Sequence, residues 1–423
     1  MGCKSNQFEG QVIRENLIKN GFSEVKDVEE ADIFVLNSCS VTHKSDNEAL
    51  YFLRAAKNKN PNIFNVLTGC YAQIEKETLL ECDFIDFIAG NDEKLKLGEY
   101  MLKAFVSGSR SAVSDIMQRQ EFTHVKITDT AKTRISLKIQ DGCNNRCAYC
   151  IIPFARGNSR SANSDFIVNQ INYFCEHGFK EVVFTGIHIG LWGNEFGKTL
   201  SDLLKEVEVS TNIERYRLGS LYPNEIDEYM LDFLSKSEKF CPHFHLSLQA
   251  ACDKTLRTMN RFYTVEETSK LIEKINNIFD LPFIGSDVIA GFAGETDEDF
   301  ETTRANLEKF QLSQIHTFPY SVRKGTTGAS FLNQVDENVK TERANIIKEI
   351  SKKKYAEFVN KNIGKVKNVL IEKHPDRLTG ALKGVSENYL TVILNSKDKN
   401  ILNTMVNAKI SEYKNGILYA DII

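Results

Sequence analysis

Cys143, Cys147 and Cys150 stand in the run DGCNNRCAYC, whose C-x3-C-x2-C spacing puts three thiols on one short loop. Three thiolates spaced in this way hold three corners of a [4Fe–4S] cube and leave the fourth iron without a protein ligand. An open iron of that kind chelates a small molecule through an amine and a carboxylate, as the methionine end of S-adenosylmethionine offers. A structural zinc loop asks for four ligands, commonly in C-x2-C pairs, and no second pair follows at suitable spacing. The run comes directly after the strand pattern RISLKIQ, with the aromatic Tyr149 just before the last cysteine.

Three more cysteines share a different logic. Cys39 follows the apolar run DIFVL, in LNSC, and Cys70 follows IFNVL, in LTGC. Ligands of open α/β sheets gather at the carboxyl ends of the strands, where both of these lie. Cys3, in MGCKSNQFEG, precedes a helical pattern. It is not part of a myristoylation signal, because Asn6 occupies the place where Ser or Thr is required. On the residues alone two readings stay open: a second cluster, or three buried thiols. Cys82, Cys175, Cys241 and Cys252 have no ligand-like arrangement and read as core or incidental thiols.

The elements that must position these residues fall into three groups. Residues 1–92 alternate helix and strand (helix from Asn6 to Asn20, strands at Asp32–Leu36, Ile63–Leu67 and Phe84–Ile88), which predicts a doubly wound parallel sheet. Residues 93–132 are more polar and read as a connecting segment with some helix. From 133 to 362 the rhythm restarts with strands RISLKIQ, EVVFTG, YRLGS, HFHLSL, FIGSDVIAG and IHTFPY, a partial (β/α) barrel whose chemistry belongs at the strand carboxyl ends. Residues 363–423 carry KNVLIE, YLTVIL and GILYADI, short strands suited to a small β-barrel.

Composition excludes several classes. The 423-residue chain is 42% hydrophobic and 26% charged, as expected of a globular protein with several domains. It has no apolar run near the roughly 18 residues of a membrane span and no export leader, so no membrane association and a cytoplasmic location are expected. Ten cysteines without an export signal point to metal or catalysis before disulfides. A net charge of −4 and a pI near 6.1 do not advertise a nucleic-acid binder, so such binding must use local patches.

Taken together, these motifs resemble the methylthiotransferases of the radical SAM superfamily over essentially the whole length. GCKSNQFE, NSCSVTHKSD and TGCYAQ resemble that family's N-terminal domain, and GCNNRCAYCIIPFARGNSRSA resembles its radical SAM loop. FTGIHIG, HLSLQ with TLRTMNRFYT, SDVIAGFAGET and FPYSVRKGT resemble later barrel motifs, and GVSENYLTV the RNA-binding TRAM domain. The chain departs from the family at Ala250-Ala251, where Ser-Gly is usual, and at Ala293, where Pro is usual. Both exchange small residues for small ones. The family also places a strand before its first cysteine, where this chain has only Met1 and Gly2. Two readings follow: a natural start further upstream, which we expect, or a protein that tolerates a mobile first ligand.

The resemblance implies two [4Fe–4S] clusters, an auxiliary one on Cys3, Cys39 and Cys70 and the radical SAM one on Cys143, Cys147 and Cys150. It implies two uses of S-adenosylmethionine: one molecule methylates sulfur at the auxiliary cluster, and another yields the radical that activates carbon 2 of an adenine. Tyr149, Gly186, Ser220 and Gln249 are the implied cofactor contacts, and no catalytic residue is assigned beyond the cluster ligands. Arg156, Arg160, Arg323, Lys324 and tail lysines are candidate RNA contacts, with His188 and Trp192 as possible base-stacking groups. The implied substrate is N6-threonylcarbamoyladenosine in tRNA, suggested by IIPFARGNSRS, NSCSVT and SENYL. Its alternatives are isopentenyladenosine in tRNA and an aspartate of a ribosomal protein. A different class, an iron–sulfur electron carrier with an RNA-binding tail, fits less well, since carriers generally saturate all four irons. An electron donor is required and is not identified by the sequence; neither is the oligomeric state.

Overall fold

The computed structural model describes residues 2–128, 132–377, 379–396 and 398–423. The chain start at Met1, on which the expectation of an upstream beginning bears, lies outside them.

The first sheet is built from α1 (Lys4–Lys19), β1 (Ile33–Ser38), α2 (His43–Lys59), β2 (Phe64–Gly69), α3 (Cys70–Ile74), α4 (Lys76–Leu80), β3 (Phe87–Ala89), α5 (Leu97–Ser107) and β4 (Ser111–Ala112). Its strands run in the order β1-β2-β3-β4, all parallel. Helices cover both faces, which is why the strands read as near-continuous apolar runs. Ala49, Leu53 and Leu79 pack on Leu36, Leu67 and Ile88 on one side. Ile13, Leu97 and Met101 pack on Val66, Phe87 and Ala89 on the other. The stretch expected to connect supplies α5 and the edge strand β4, because Leu97 and Met101 repeat on one helical face and need a sheet to cover.

The central region continues with β5 (Ile135–Lys138), β6 (Gln140–Asp141), α6 (Ile152–Arg156), β7 (Arg160–Ser161), α7 (Ser164–Glu176), β8 (Glu181–Thr185), α8 (Leu200–Ser210), β9 (Arg215–Arg217) and β10 (Ser220–Leu221). It ends with α9 (Glu228–Lys236), β11 (His243–Gln249), α10 (Asp253–Thr258), α11 (Val265–Ile278), β12 (Phe283–Ala290), α12 (Asp297–Lys309) and β13 (Gln314–Pro319). Strands β5-β8-β9 and β10-β11-β12-β13 form two parallel sets, the partial (β/α) barrel expected from the strand pattern. Threonines at 199, 264 and 296 open α8, α11 and α12 with reciprocal capping boxes. The short antiparallel pair β6–β7 closes the base of the loop that carries Cys143, Cys147 and Cys150.

A long helix, α13 (Glu337–Asn362), leads to a closed five-stranded barrel of β14 (Val366–Ile371), β15 (Leu382–Ser386), β16 (Thr391–Leu394), β17 (Met405–Lys414) and β18 (Ile417–Ile422). This barrel is not a loose tail. Phe283 of β12 and Phe358 of α13 belong to its apolar core. Arg215 and Arg217, both bound to the buried Glu181, donate to the carbonyls of Asn368, Val385, Ser386 and Glu387. Burial alone would raise the Glu181 carboxyl, but Arg217 and Arg215 outweigh it and bring it down to about 2.

Candidate functional site: two cysteine triads facing one cavity

The loop after β5 turns sharply at Gly142, whose φ of +70° suits glycine and where a Cβ would lie 1.9 Å from the Asn158 carbonyl oxygen. Cys143 and Cys147 are buried and Cys150 is half-buried, all three as free thiols. Burial pushes the Cys150 thiol up to about 12, with Cys147 adding to the shift. Ionising such thiols requires cations beside them. The loop has two in place, and iron bound to the thiolates would add to their effect. Arg261 Nη1 donates to Cys147 Sγ at 3.3 Å, while its Nη2 and Nε hold the Ser247 carbonyl and the Tyr263 hydroxyl. His188 Nδ1 lies 3.5 Å from Cys143 Sγ, and its other nitrogen contacts Glu225. Burial would lower this imidazole, but Cys143 and Glu225 together raise it to about 9.

The second triad is assembled by the first sheet. Ser38 and Gly69 are register partners at the ends of β1 and β2, so Cys39 and Cys70 leave adjacent strands side by side. Gly69 makes this approach possible: at φ +98° a Cβ there would stand 2.3 Å from the Ser38 carbonyl oxygen. Cys3 reaches the same edge from the N-terminus of α1. Asn6 donates to the Ser38 carbonyl at 3.0 Å, and Asn37 donates to the Asn6 carbonyl at 3.0 Å. A Cβ on Gly2 would lie 3.0 Å from Cys39 Cβ. Burial raises the Cys39 thiol to about 11, with the neighbouring Cys70 and Cys3 adding to it. Asn91 Nδ2 lies 3.7 Å from Cys70 Sγ.

Among the described residues no three His, Cys, Asp or Glu side chains converge on one metal-ion position. The donor set still fits a cube, because each thiolate of a cube takes a different iron and the sulfurs stand apart.

One cavity of about 350 Å³ is bordered by one cysteine of each triad. Cys3 and Cys150 both line it, together with Tyr149, Gln249, Asp287, Ile289, Phe318 and Tyr320. Two of the expected cofactor contacts, Tyr149 and Gln249, thus face the space between the triads. Gly186 and Ser220 are not among its lining residues. Gly186 is small for another reason: a Cβ there would meet the Gln140 carbonyl oxygen at 2.8 Å. Gln140 in turn accepts from the Ile187 and His188 amides. Ser220 is exposed on β10.

The expected RNA contacts divide. Arg156, Arg160 and Arg323 are buried in ion pairs with Glu9, Asp141 and Asp46, and they offer nothing to a phosphate. Trp192 is fully buried and donates to the Ala162 carbonyl, so it is a core residue. His188 is buried against Cys143. Lys324 and the tail lysines Lys365, Lys399, Lys409 and Lys414 are exposed. Arg261, Glu9 and Asn91 were missed by sequence reasoning; each is an ordinary polar residue until the fold brings it to a cysteine or to a buried charge.

An open three-cysteine loop at the carboxyl end of a barrel's first strand defines the radical SAM class, and residues 137–307 match the family described as "Radical SAM superfamily". Residues 1–90 match "Uncharacterized protein family UPF0004". The chain is 36% identical to the threonylcarbamoyladenosine tRNA methylthiotransferase MtaB of Aquifex aeolicus over 93% of this chain and 94% of that one. It is 32% identical to the protein of the same name in Bacillus subtilis, over 97% and 92% of the two chains. It is 30% identical to the tRNA-2-methylthio-N(6)-dimethylallyladenosine synthase of Syntrophomonas wolfei, over 100% and 96%. Among solved structures, the radical S-adenosylmethionine methyltransferase TsrM of Kitasatospora setae superposes with a TM-score of 0.55 at 14% identity, covering 73% of this chain and 71% of its own, a likeness of fold. The chain belongs to the radical SAM methylthiotransferase family.

Proposed function

We propose that this protein is a tRNA methylthiotransferase that places a methylthio group on carbon 2 of N6-threonylcarbamoyladenosine, using two [4Fe–4S] clusters and S-adenosylmethionine. The observation that carries this reading is the shared cavity: one cysteine of each triad borders the same space, where a base can meet both groups. When bound, the clusters and S-adenosylmethionine supply the radical and the methylated sulfur; the protein supplies positions and exclusion.

Cys143, Cys147 and Cys150 would hold the radical SAM cluster, and Cys3, Cys39 and Cys70 the auxiliary one. Arg261 and His188 orient Cys147 and Cys143 through their sulfurs. Tyr149 and Gln249 present a ring and an amide to the cavity, for stacking and hydrogen bonding to an adenine. Ile289 and Phe318 give it apolar lining against which a base can pack. We assign residues 1–92 to the auxiliary cluster, 93–132 to a connecting role, 133–362 to the radical SAM barrel and 363–423 to tRNA binding. An external one-electron donor completes the reaction.

Substrate choice within the family follows the relatives' names, several of which specify threonylcarbamoyladenosine. Mass spectrometry of tRNA nucleosides from a deletion strain tests it. The strain should lose 2-methylthio on threonylcarbamoyladenosine and retain it on isopentenyladenosine. Loss of the second with retention of the first would move the protein to the other tRNA branch. Loss from a ribosomal protein alone would overturn the tRNA assignment.

A further inference from the structure

Between the two triads lies a set of charges that neither the fold nor the proposed reaction accounts for. Glu9 of α1 is completely buried, as are Lys94 and, to within 1%, Arg156. Glu9 accepts from Arg156 Nη1 at 2.6 Å and Nη2 at 2.9 Å, from Lys94 Nζ at 2.6 Å and from Lys138 Nζ at 2.8 Å. Asp141 takes Arg156, Lys138 and Arg160 at 3.0, 3.1 and 3.2 Å. The network therefore holds four cations against two carboxylates, all inside the protein. An uncompensated excess of buried positive charge is costly, and proteins keep it only where an anion stands nearby.

The network ends at the auxiliary triad. Lys94 Nζ donates to Asn91 Oδ1 at 2.5 Å, and Asn91 Nδ2 lies 3.7 Å from Cys70 Sγ. The same amide nitrogen donates to the Ala155 carbonyl at 2.6 Å, beside Arg156. Burial opposes the Arg156 charge, and among the groups that restore it Cys70 stands ahead of Glu9 and Asp141. At the other triad Arg261 and His188 act one on each sulfur, with Glu225 against His188, and the network reaches that loop only at its base, through Asp141 and Arg160 of the β6–β7 pair.

We propose that the buried network of Glu9, Asp141, Lys94, Lys138, Arg156 and Arg160 is the counter-charge of the cluster on Cys3, Cys39 and Cys70 and raises that cluster's reduction potential. A cube held by three thiolates gains negative charge on reduction, and fixed buried cations stabilise that form. Arg156 and Glu9 are positioning residues here, acting on the cluster by their fields and through Asn91. The inference rests on the assignment of the auxiliary cluster given above.

Redox titration of the full chain carrying Cys143→Ala, Cys147→Ala and Cys150→Ala tests it, since only the auxiliary cluster then remains to be followed by electron paramagnetic resonance. Arg156→Gln removes a cation and should lower the reduced-to-oxidised ratio at fixed potential at least tenfold, about 59 mV for one electron. Glu9→Gln removes an anion at nearly constant shape and should move the ratio in the opposite direction. Opposite shifts support the inference, because loss of packing has no reason to change sign between the two variants. If Arg156→Gln does not fold, the Glu9→Gln shift decides alone. Unchanged potentials with iron bound would overturn the inference and leave the network as a structural joint. Absence of iron in the reference protein would instead overturn the auxiliary-cluster assignment itself.

Discussion

The two cysteine triads reach the same cavity by opposite routes. Cys143, Cys147 and Cys150 come from one loop within eight residues, held at its base by β6 and β7. Cys39 and Cys70 come from the ends of two adjacent strands, brought side by side because β1 and β2 pair with Ser38 beside Gly69. Cys3 comes from the N-terminus of α1, tied to that edge through Asn6. A local site depends on loop geometry, whereas a distributed one depends on the register and packing of a whole sheet. Their surroundings differ in the same sense. The loop site is served by single partners to its sulfurs, and the sheet site borders a network that joins residues 147 apart in sequence.

That contrast can be broken most severely at the ligands. Cys150→Ala should reduce 5′-deoxyadenosine formation from S-adenosylmethionine to background, because the open cube loses a corner. Cys39→Ala should keep that cleavage while abolishing methylthio product. Mass spectrometry of both products checks this, and loss of cleavage in Cys39→Ala would show that the sites do not act separately.

The next largest effect falls on the network. Glu9→Ala leaves Lys94 without its carboxylate and Arg156 and Lys138 with Asp141 alone, and should cost about 3–5 kcal/mol, the usual result of breaking a buried ion pair from one side. Thermal or denaturant unfolding against wild type measures it. Arg261→Ala should leave the fold closer to wild type. It removes donors to the Cys147 sulfur and the Tyr263 hydroxyl while the Ser247 carbonyl still accepts from Tyr263, and no carboxylate is left buried without its cation.

A third region sharpens the comparison by its pH dependence. Glu181, which holds Arg215 and Arg217 against the C-terminal barrel, is depressed from an ordinary 4.5 to about 2 by those arginines. Its stabilisation, about 3 kcal/mol, is therefore fully present above pH 4.5 and lost as pH falls towards 2. The stability gap between wild type and Glu181→Gln should narrow over that window. A gap constant from pH 6 to 3 would contradict the assignment.

The smallest effect is expected on the RNA side. Lys409→Ala, at an exposed cation, should weaken tRNA binding severalfold and lower the salt slope by about one. The same change at Lys367, which is buried on the neighbouring strand, should leave the slope unchanged.

The sequence made the loop triad legible because its chemistry is written in local spacing, and Tyr149 came with it. The sheet triad was half legible: strand ends pointed to Cys39 and Cys70 and a following helix to Cys3, but only the family resemblance chose a cluster over three buried thiols. Arg261, His188 and Asn91 were not readable as partners of cysteine sulfur, because they lie 114, 45 and 21 residues from the atoms they meet. Arg156, Arg160 and Arg323 were read as RNA contacts because cations usually face water. Nothing in a lone arginine announces the carboxylate that buries it. The C-terminal barrel was visible as a strand pattern, yet its sharing of Phe283 and Phe358 with the preceding elements was not. Removing it whole would uncover Arg215 and Arg217 as well, so point changes test RNA binding more cleanly than truncation.

The central claim is that two independent clusters are held on two separately built triads around one cavity. Iron and acid-labile sulfide analysis of three anaerobically reconstituted proteins tests it most directly: wild type, the Cys143/Cys147/Cys150→Ala variant and the Cys3/Cys39/Cys70→Ala variant. Each variant should retain about half of the wild-type iron, the share expected when one of two equal cubes is lost. A variant that loses all of its iron, or none, would contradict the claim.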